Sequence, residues 1–229
     1  MNPQPVHTRA LHELAGADAT GFGGKSASLG ELLRAEIPVP PGFALSTSAF
    51  TLFLEQSGLT DRVVDALSRV PVDDVDAIAA AARLIGEEIR SAAVPDAVAD
   101  EIANRYGELA AAAGAPGEQP PVAVRSSALG EDSAEATFAG QQDTYLWVSG
   151  AEAICAAVRD CWASLYSTQA ISYRMRLGGA AVQRPAMGVT VQLMVDAAVS
   201  GVMFTCNPVS GDPSMVAINA SWGLGLAVV

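Results

Sequence analysis

The chain has 229 residues, 50% hydrophobic and 17% charged, which excludes a disordered low-complexity chain and suits one large domain or two small ones at about 150 residues each. A net charge of −12, from 25 acidic against 13 basic residues, argues against non-specific binding to nucleic acid or to an anionic membrane, although a local cluster of Lys and Arg can still hold one small anion. Three cysteines without CxxC spacing and two histidines near the N-terminus speak against a disulfide framework and a His-based metal cage.

The first residues, MNPQPVHTRALHEL, have neither the long apolar core nor the small-residue cleavage site of a signal peptide. No apolar run reaches the roughly 18 residues of a membrane span. With unpaired cysteines this points to a reduced, cytoplasmic protein. Residues 1–20 read as a weakly structured entry. Gly21-Phe22-Gly23-Gly24-Lys25-Ser26 is a flexible loop that meets a helix with Leu29, Leu32 and Leu33 as its apolar face. Residues 37–45 are extended and broken by a Pro-Gly turn, and Ser46, Thr47 or Ser48 can cap the next helix.

Residues 60–112 have a helical period, with Val63, Leu67, Val70, Ile78, Ala81, Ile85 and Ile89 at three- and four-residue steps. Pro71 and Pro95 divide this stretch into separate helices. After a loop over 113–121 the period changes to two. Residues 121–127 form a strand ending in a polar cluster, 129–137 an acidic loop and 144–148 a second strand. Residues 151–176 read as one long helix with a buried stripe of Ile154, Val158, Cys161, Trp162, Leu165 and Tyr166. Three strand-like runs follow, at 188–195, 201–205 and 215–220. The expected class is α+β, with helices early and a mostly antiparallel sheet late. The segments are 1–120, carrying the lysine loop and helices, and 121–229, strand-rich.

Four places can carry chemistry. Glycine before Lys25 lets backbone N–H groups approach a phosphate, and the lysine adds a mobile charge. The spacing departs from a Walker A loop, whose first glycine would fall at Ala19, and the alternative is a turn with a solvated lysine. Arg125 follows Val122-Ala123-Val124, where a guanidinium needs an anion or a carboxylate such as Glu131, Asp132 or Glu135. Phe138 to Tyr145 contains Gly140, which permits close backbone approach, and Thr144, a hydrogen-bonding hydroxyl; its alternative is a bulged hairpin strand. In residues 189–195, alternation puts Thr190, Gln192 and Met194 on one face. Gln192 there suits the polar edge of a flat heterocycle such as adenine, or else an exposed sheet face.

Together the runs GGKSASLGEL, VPPGFALSTSAF, VAVRSSALGEDSAEATFAGQQDTYLWV, CWASLYSTQAISYR, SGVMFTCNPVSGDPS and ASWGLG resemble the N-terminal ATP-binding region of the phosphoenolpyruvate synthase and pyruvate phosphate dikinase family, which includes the rifamycin phosphotransferases. The resemblance implies an ATP-grasp-like lobe, incomplete at its C-terminus. It implies that Lys25 and Arg125 contact ATP phosphates, that Gly140 and Thr144 lie along the loop covering them, and that Gln192 sits beside the nucleotide. It implies Mg²⁺ held by residues outside this chain. It also implies partner regions in the complete protein: the remaining ATP-grasp half, a phosphohistidine domain that neither His7 nor His12 matches, and an acceptor domain. The implied activity is phosphorylation of a histidine from ATP, giving AMP and phosphate, with transfer to pyruvate. The alternatives are transfer to a rifamycin, or a non-catalytic nucleotide-binding fragment or subunit. Many relatives read GLGE where this chain has Gly223-Leu224-Gly225-Leu226. The chain is expected to be a fragment or split subunit, inactive alone and prone to self-association through uncovered apolar strands.

Overall fold

The computed structural model describes residues 6–114, 116–128, 144–177, 185–225 and 228. Internal contacts divide the chain into two units, Met1–Met194 and Val195–Val229. In the first unit β1 (Thr8–Ala10) leads through two single-turn 3-10 helices to α1 (Ala19–Phe22) and α2 (Gly24–Arg34). Then come β2 (Gly42–Leu45), α3 (Thr47–Gln56), α4 (Leu59–Ser68), α5 (Val75–Ser91), α6 (Asp96–Ala112), β3 (Val122–Ala128), β4 (Thr144–Val148), α7 (Ala151–Ser164), α8 (Thr168–Leu177) and β5 (Met187–Leu193). The second unit contains β6 (Val199–Phe204) and β7 (Ala217–Trp222) as an antiparallel pair. The class is α+β, as expected, and the described pairings are all antiparallel.

The first unit's sheet has the order β1-β2-β5-β3-β4. It takes strands from both sides of residue 120, so the expected segment boundary falls inside this unit. β2 falls in the run that reads as extended from the sequence, and β1 precedes it. Residues 8–10 form an edge strand instead of a weakly structured entry. Three residues are too few for a period, and the strand is held from afar: Glu101 of α6 accepts from the backbone N–H groups of His7 and Thr8 at 2.9 and 2.8 Å and from the Thr8 hydroxyl at 2.9 Å.

Alternation along the strands divides the sheet into two faces. One carries Phe43, Leu45, Val122, Val124, Val189 and Val191, all buried in the main core against the helices. Phe50 and Phe53 of α3 pack on Trp162 of α7, with ring centroids 5.5 and 4.9 Å apart. Burying one such aromatic or aliphatic side chain stabilises by roughly 1.5–3 kcal/mol. Val63 and Leu67 of α4 and Ile78, Ile85 and Ile89 of α5 point into this core, and the breaks fall near Pro71 and Pro95 as expected. The Asp74 carboxylate caps α5 by accepting from the Ala77 N–H at 2.9 Å.

The other face is covered by α1 and α2. Its apolar cluster is Leu11, Leu14, Phe22 and Ala44, with Leu29 and Leu33 at the edge. Of the expected Leu29, Leu32 and Leu33 stripe, Leu29 and Leu33 pack against this cluster, whereas Leu32 is exposed; the residues α2 buries fully are Ser26, Ala27 and Gly30. The cause is close approach, since a Cβ at Gly30 would fall 2.4 Å from the Leu14 carbonyl oxygen. At Gly30 helix α2 therefore lies directly on backbone, and its leucines pack only at the edge of the cluster.

Two further expectations change. Residues 151–176 are two helices, because the N–H groups of Leu165, Tyr166 and Ser167 bond three residues back, to Trp162, Ala163 and Ser164. Ser167 then starts α8 by accepting from the Ala170 N–H at 3.2 Å. The buried stripe itself is as expected. Strand β5 has no solvent face: it runs between β2 and β3, and residues 187–192 are buried on both sides.

Candidate functional site

The loop before α2 reaches across to β3 and β5. Gly23 has φ +83°, and a Cβ there would lie 2.0 Å from the carbonyl oxygen of Ser127, so no other residue lets the chain pass so close. Past this glycine the Ser26 N–H donates to the Ser127 hydroxyl at 3.3 Å. The Ser26 and Thr190 hydroxyls share a buried hydrogen bond at 2.7 Å. The Lys25 ammonium donates to the Ser126 carbonyl oxygen at 3.2 Å.

The register places Arg125 directly opposite Thr190 on β5 and Thr144 on β4. Directly opposed residues of antiparallel strands project to the same face. Because Thr190 bonds to Ser26, that face is the one α2 covers. Arg125 therefore stands in a row with Thr144 and Thr190, one residue from the carbonyl that holds Lys25. Arg125 lies in the middle of β3. It is partly buried, its Nε is enclosed without an acceptor, and no carboxylate pairs with it among the described residues. The candidate partners Glu131, Asp132 and Glu135 lie outside the described residues, as does Gly140. Thr144 is described and exposed.

Gln192 is two residues along β5 from Thr190, opposite Ala123, on the same face as Arg125. It is 7% exposed, and its Nε2 donates to the Pro40 carbonyl oxygen at 2.9 Å. Four of the five residues picked out by sequence thus fall among the described residues, and Arg125, Thr144 and Gln192 share the face against which the Lys25 loop is latched.

Sequence reading missed the latch itself. Ser26 and Ser127 are small residues beside the motif residues Lys25 and Ser126, but nothing in the string links them to Thr190. It also missed Arg174, buried with its guanidinium 5.6 Å from the Tyr166 ring centroid. Burial pulls Arg174 below the ordinary arginine range, offset in part by Tyr166. Burial pushes the Tyr166 hydroxyl up to about 12. Both Tyr166 and Trp162 are core residues, as expected.

Among the described residues no group of three His, Cys, Asp or Glu side chains could hold a metal ion. No described helix is long and apolar enough to cross a membrane.

Residues 20–229 match the pyruvate phosphate dikinase AMP/ATP-binding domain. Over 219 residues and 96% of its length the chain is 45% identical to a probable phosphoenolpyruvate synthase of Staphylothermus marinus, covering 26% of that protein. It is 42% identical to a probable phosphoenolpyruvate synthase of Methanocaldococcus jannaschii, covering 18% of it. It is also 42% identical to a rifampicin phosphotransferase of Streptomyces sviceus, covering 24% of it. The chain spans about a quarter or less of these relatives. On the match across residues 20–229, the chain belongs to the pyruvate phosphate dikinase AMP/ATP-binding domain family.

Proposed function

We propose that this chain is the ATP-binding part of a phosphoenolpyruvate synthase-like phosphotransferase with an ATP-grasp architecture. The complete protein phosphorylates a histidine from ATP, releasing AMP and phosphate, and passes the phosphoryl group to pyruvate. Lys25 and Arg125 hold the phosphates, Gly140 and Thr144 border them, and Gln192 meets the base. The residues that would hold Mg²⁺ are placed outside this chain.

The observation that carries this reading is the contact of Lys25 with the Ser126 carbonyl, which brings the ammonium to the backbone beside Arg125. Two cations converging on one polyanion offset the negative charge spread over the transferring phosphoryl group. An enclosed guanidinium nitrogen without an acceptor, as at Arg125, suits an anionic ligand. The names of the relatives support pyruvate as acceptor in two of the three cases cited, and a rifamycin in the third.

In the complete enzyme, Arg125→Ala is expected to lower phosphotransfer at least about tenfold, on the order of 1.4 kcal/mol or more. A wild-type rate in that variant rejects the assignment. The chain alone is expected to bind ATP weakly and not to turn it over; rapid formation of AMP by purified residues 1–229 contradicts this.

A further inference from the structure

We infer that Arg174 of α8 is an anion-binding residue separate from the proposed ATP site, and that one edge of its guanidinium takes an oxyanion with two oxygens on one centre, a carboxylate or a phosphate.

Helix α8 turns Ala170, Ile171 and Arg174 inward at the three- and four-residue steps of a buried stripe, and they are 5%, 0% and 6% exposed. A leucine at 174 would continue this stripe. The stripe carries a guanidinium instead, while Arg176 in the same last turn is exposed. Burial pulls Arg174 below the ordinary arginine range, as happens to a cation taken from water without a matching anion.

Two of its nitrogens, Nε and Nη2, are enclosed and meet no acceptor among the described residues. These two share one edge of the planar fork. Their N–H bonds run parallel there, which is the geometry that grips a carboxylate or a phosphate through two hydrogen bonds. The Tyr166 ring, with its centroid 5.6 Å from Cζ, does not fill this role. A ring face attracts the cation but offers no lone pair to N–H bonds along the guanidinium edge. The Tyr166 hydroxyl, on a residue 1% exposed, is likewise enclosed without a partner. Two adjoining side chains thus hold three buried polar atoms without an acceptor, where buried polar groups are otherwise paired. Tyr166 and Ile171 belong to the core between the sheet and the helices, whereas the Lys25 loop lies on the opposite face of the sheet, so the inference does not rest on the nucleotide reading.

The test reads the arginine side chains of the 229-residue chain by proton–nitrogen NMR, first in sodium chloride and then in inorganic phosphate at equal ionic strength. The Arg174 signals are identified through its own side-chain carbons, and by their loss in Arg174→Lys; the first assignment stands even where the variant does not fold. Capture by two oxygens moves Nε–H downfield of exposed arginines such as Arg176. It also slows guanidinium rotation, so that the Nη2 protons appear separately. This pattern already present in chloride and unmoved by phosphate supports the inference, with a carboxylate of the polypeptide as the oxyanion. The pattern appearing only as phosphate is added supports it with a dissolved anion, and the same titration in Arg125→Ala should then give the same shift. Loss of the phosphate response in Arg125→Ala overturns the separate site. Averaged signals at the Arg176 position in both solutions overturn the inference, as does a phosphate response no larger than that to further sodium chloride.

Discussion

The Lys25 ammonium donates to the carbonyl oxygen of Ser126, the residue that follows Arg125 in β3, although the two partners are 101 positions apart in the chain. The latch that brings them together has two parts, the close passage at Gly23 and the hydroxyl pair Ser26 and Thr190, and each can be tested alone.

Gly23→Ala should destabilise the fold by about 2 kcal/mol or more. The new methyl would collide with the Ser127 carbonyl at 2.0 Å, and the left-handed backbone adds its own strain. Chemical denaturation measures the change. An unchanged midpoint and slope would show that the loop passes β3 less closely than described.

The hydroxyl pair makes an asymmetric prediction. Ser26→Ala leaves the Thr190 hydroxyl buried without its partner, which costs about 1–3 kcal/mol. Thr190→Val should cost a similar amount by stranding Ser26. The double variant removes both polar groups and should be less destabilised than the sum of the singles. Strict additivity in a double-mutant cycle would deny the bond.

Tyr166 gives stability a dependence on alkaline pH. Its hydroxyl is raised from 10.0 to about 12, chiefly by burial, so the folded state keeps a proton that the unfolded state releases. The contribution is fully present below about pH 10 and is lost as pH rises towards 12, on the order of 2–3 kcal/mol in all. Denaturation midpoints for the wild type and Tyr166→Phe should diverge in that window, the wild type falling more steeply. Parallel curves would contradict the raised value.

Much of the helical layer was legible because its apolar residues repeat at helical steps. Val63, Leu67, Ile78, Ile85 and Ile89 mark α4 and α5, and Pro71 and Pro95 mark the breaks. Strand β3 showed itself in Val122 to Val124. The sheet order was not legible, because pairing of β5 with both β2 and β3 depends on contacts 59 or more residues apart in sequence, and no periodicity encodes them. For α2, hydrophobicity pointed to leucines, while close packing of Gly30 on the Leu14 backbone selected small residues. The break between α7 and α8 was hidden because the buried stripe continues through it, and only Ser167 as a cap signals the restart. At the site, Lys25, Arg125 and Gln192 stood out singly by residue type and setting. Their common face became visible only through strand register and the bond between Ser26 and Thr190, 164 positions apart.

The most direct test of the central claim is an ATP titration of the wild-type chain, Lys25→Ala, Arg125→Ala and the double variant, followed by calorimetry under one salt condition. If both cations meet the same phosphates, each single change weakens ATP at least about tenfold, and the double-mutant cycle gives a coupling of about 0.5 kcal/mol or more. Undiminished ATP binding in either single variant contradicts the account, and so does strict independence of the two.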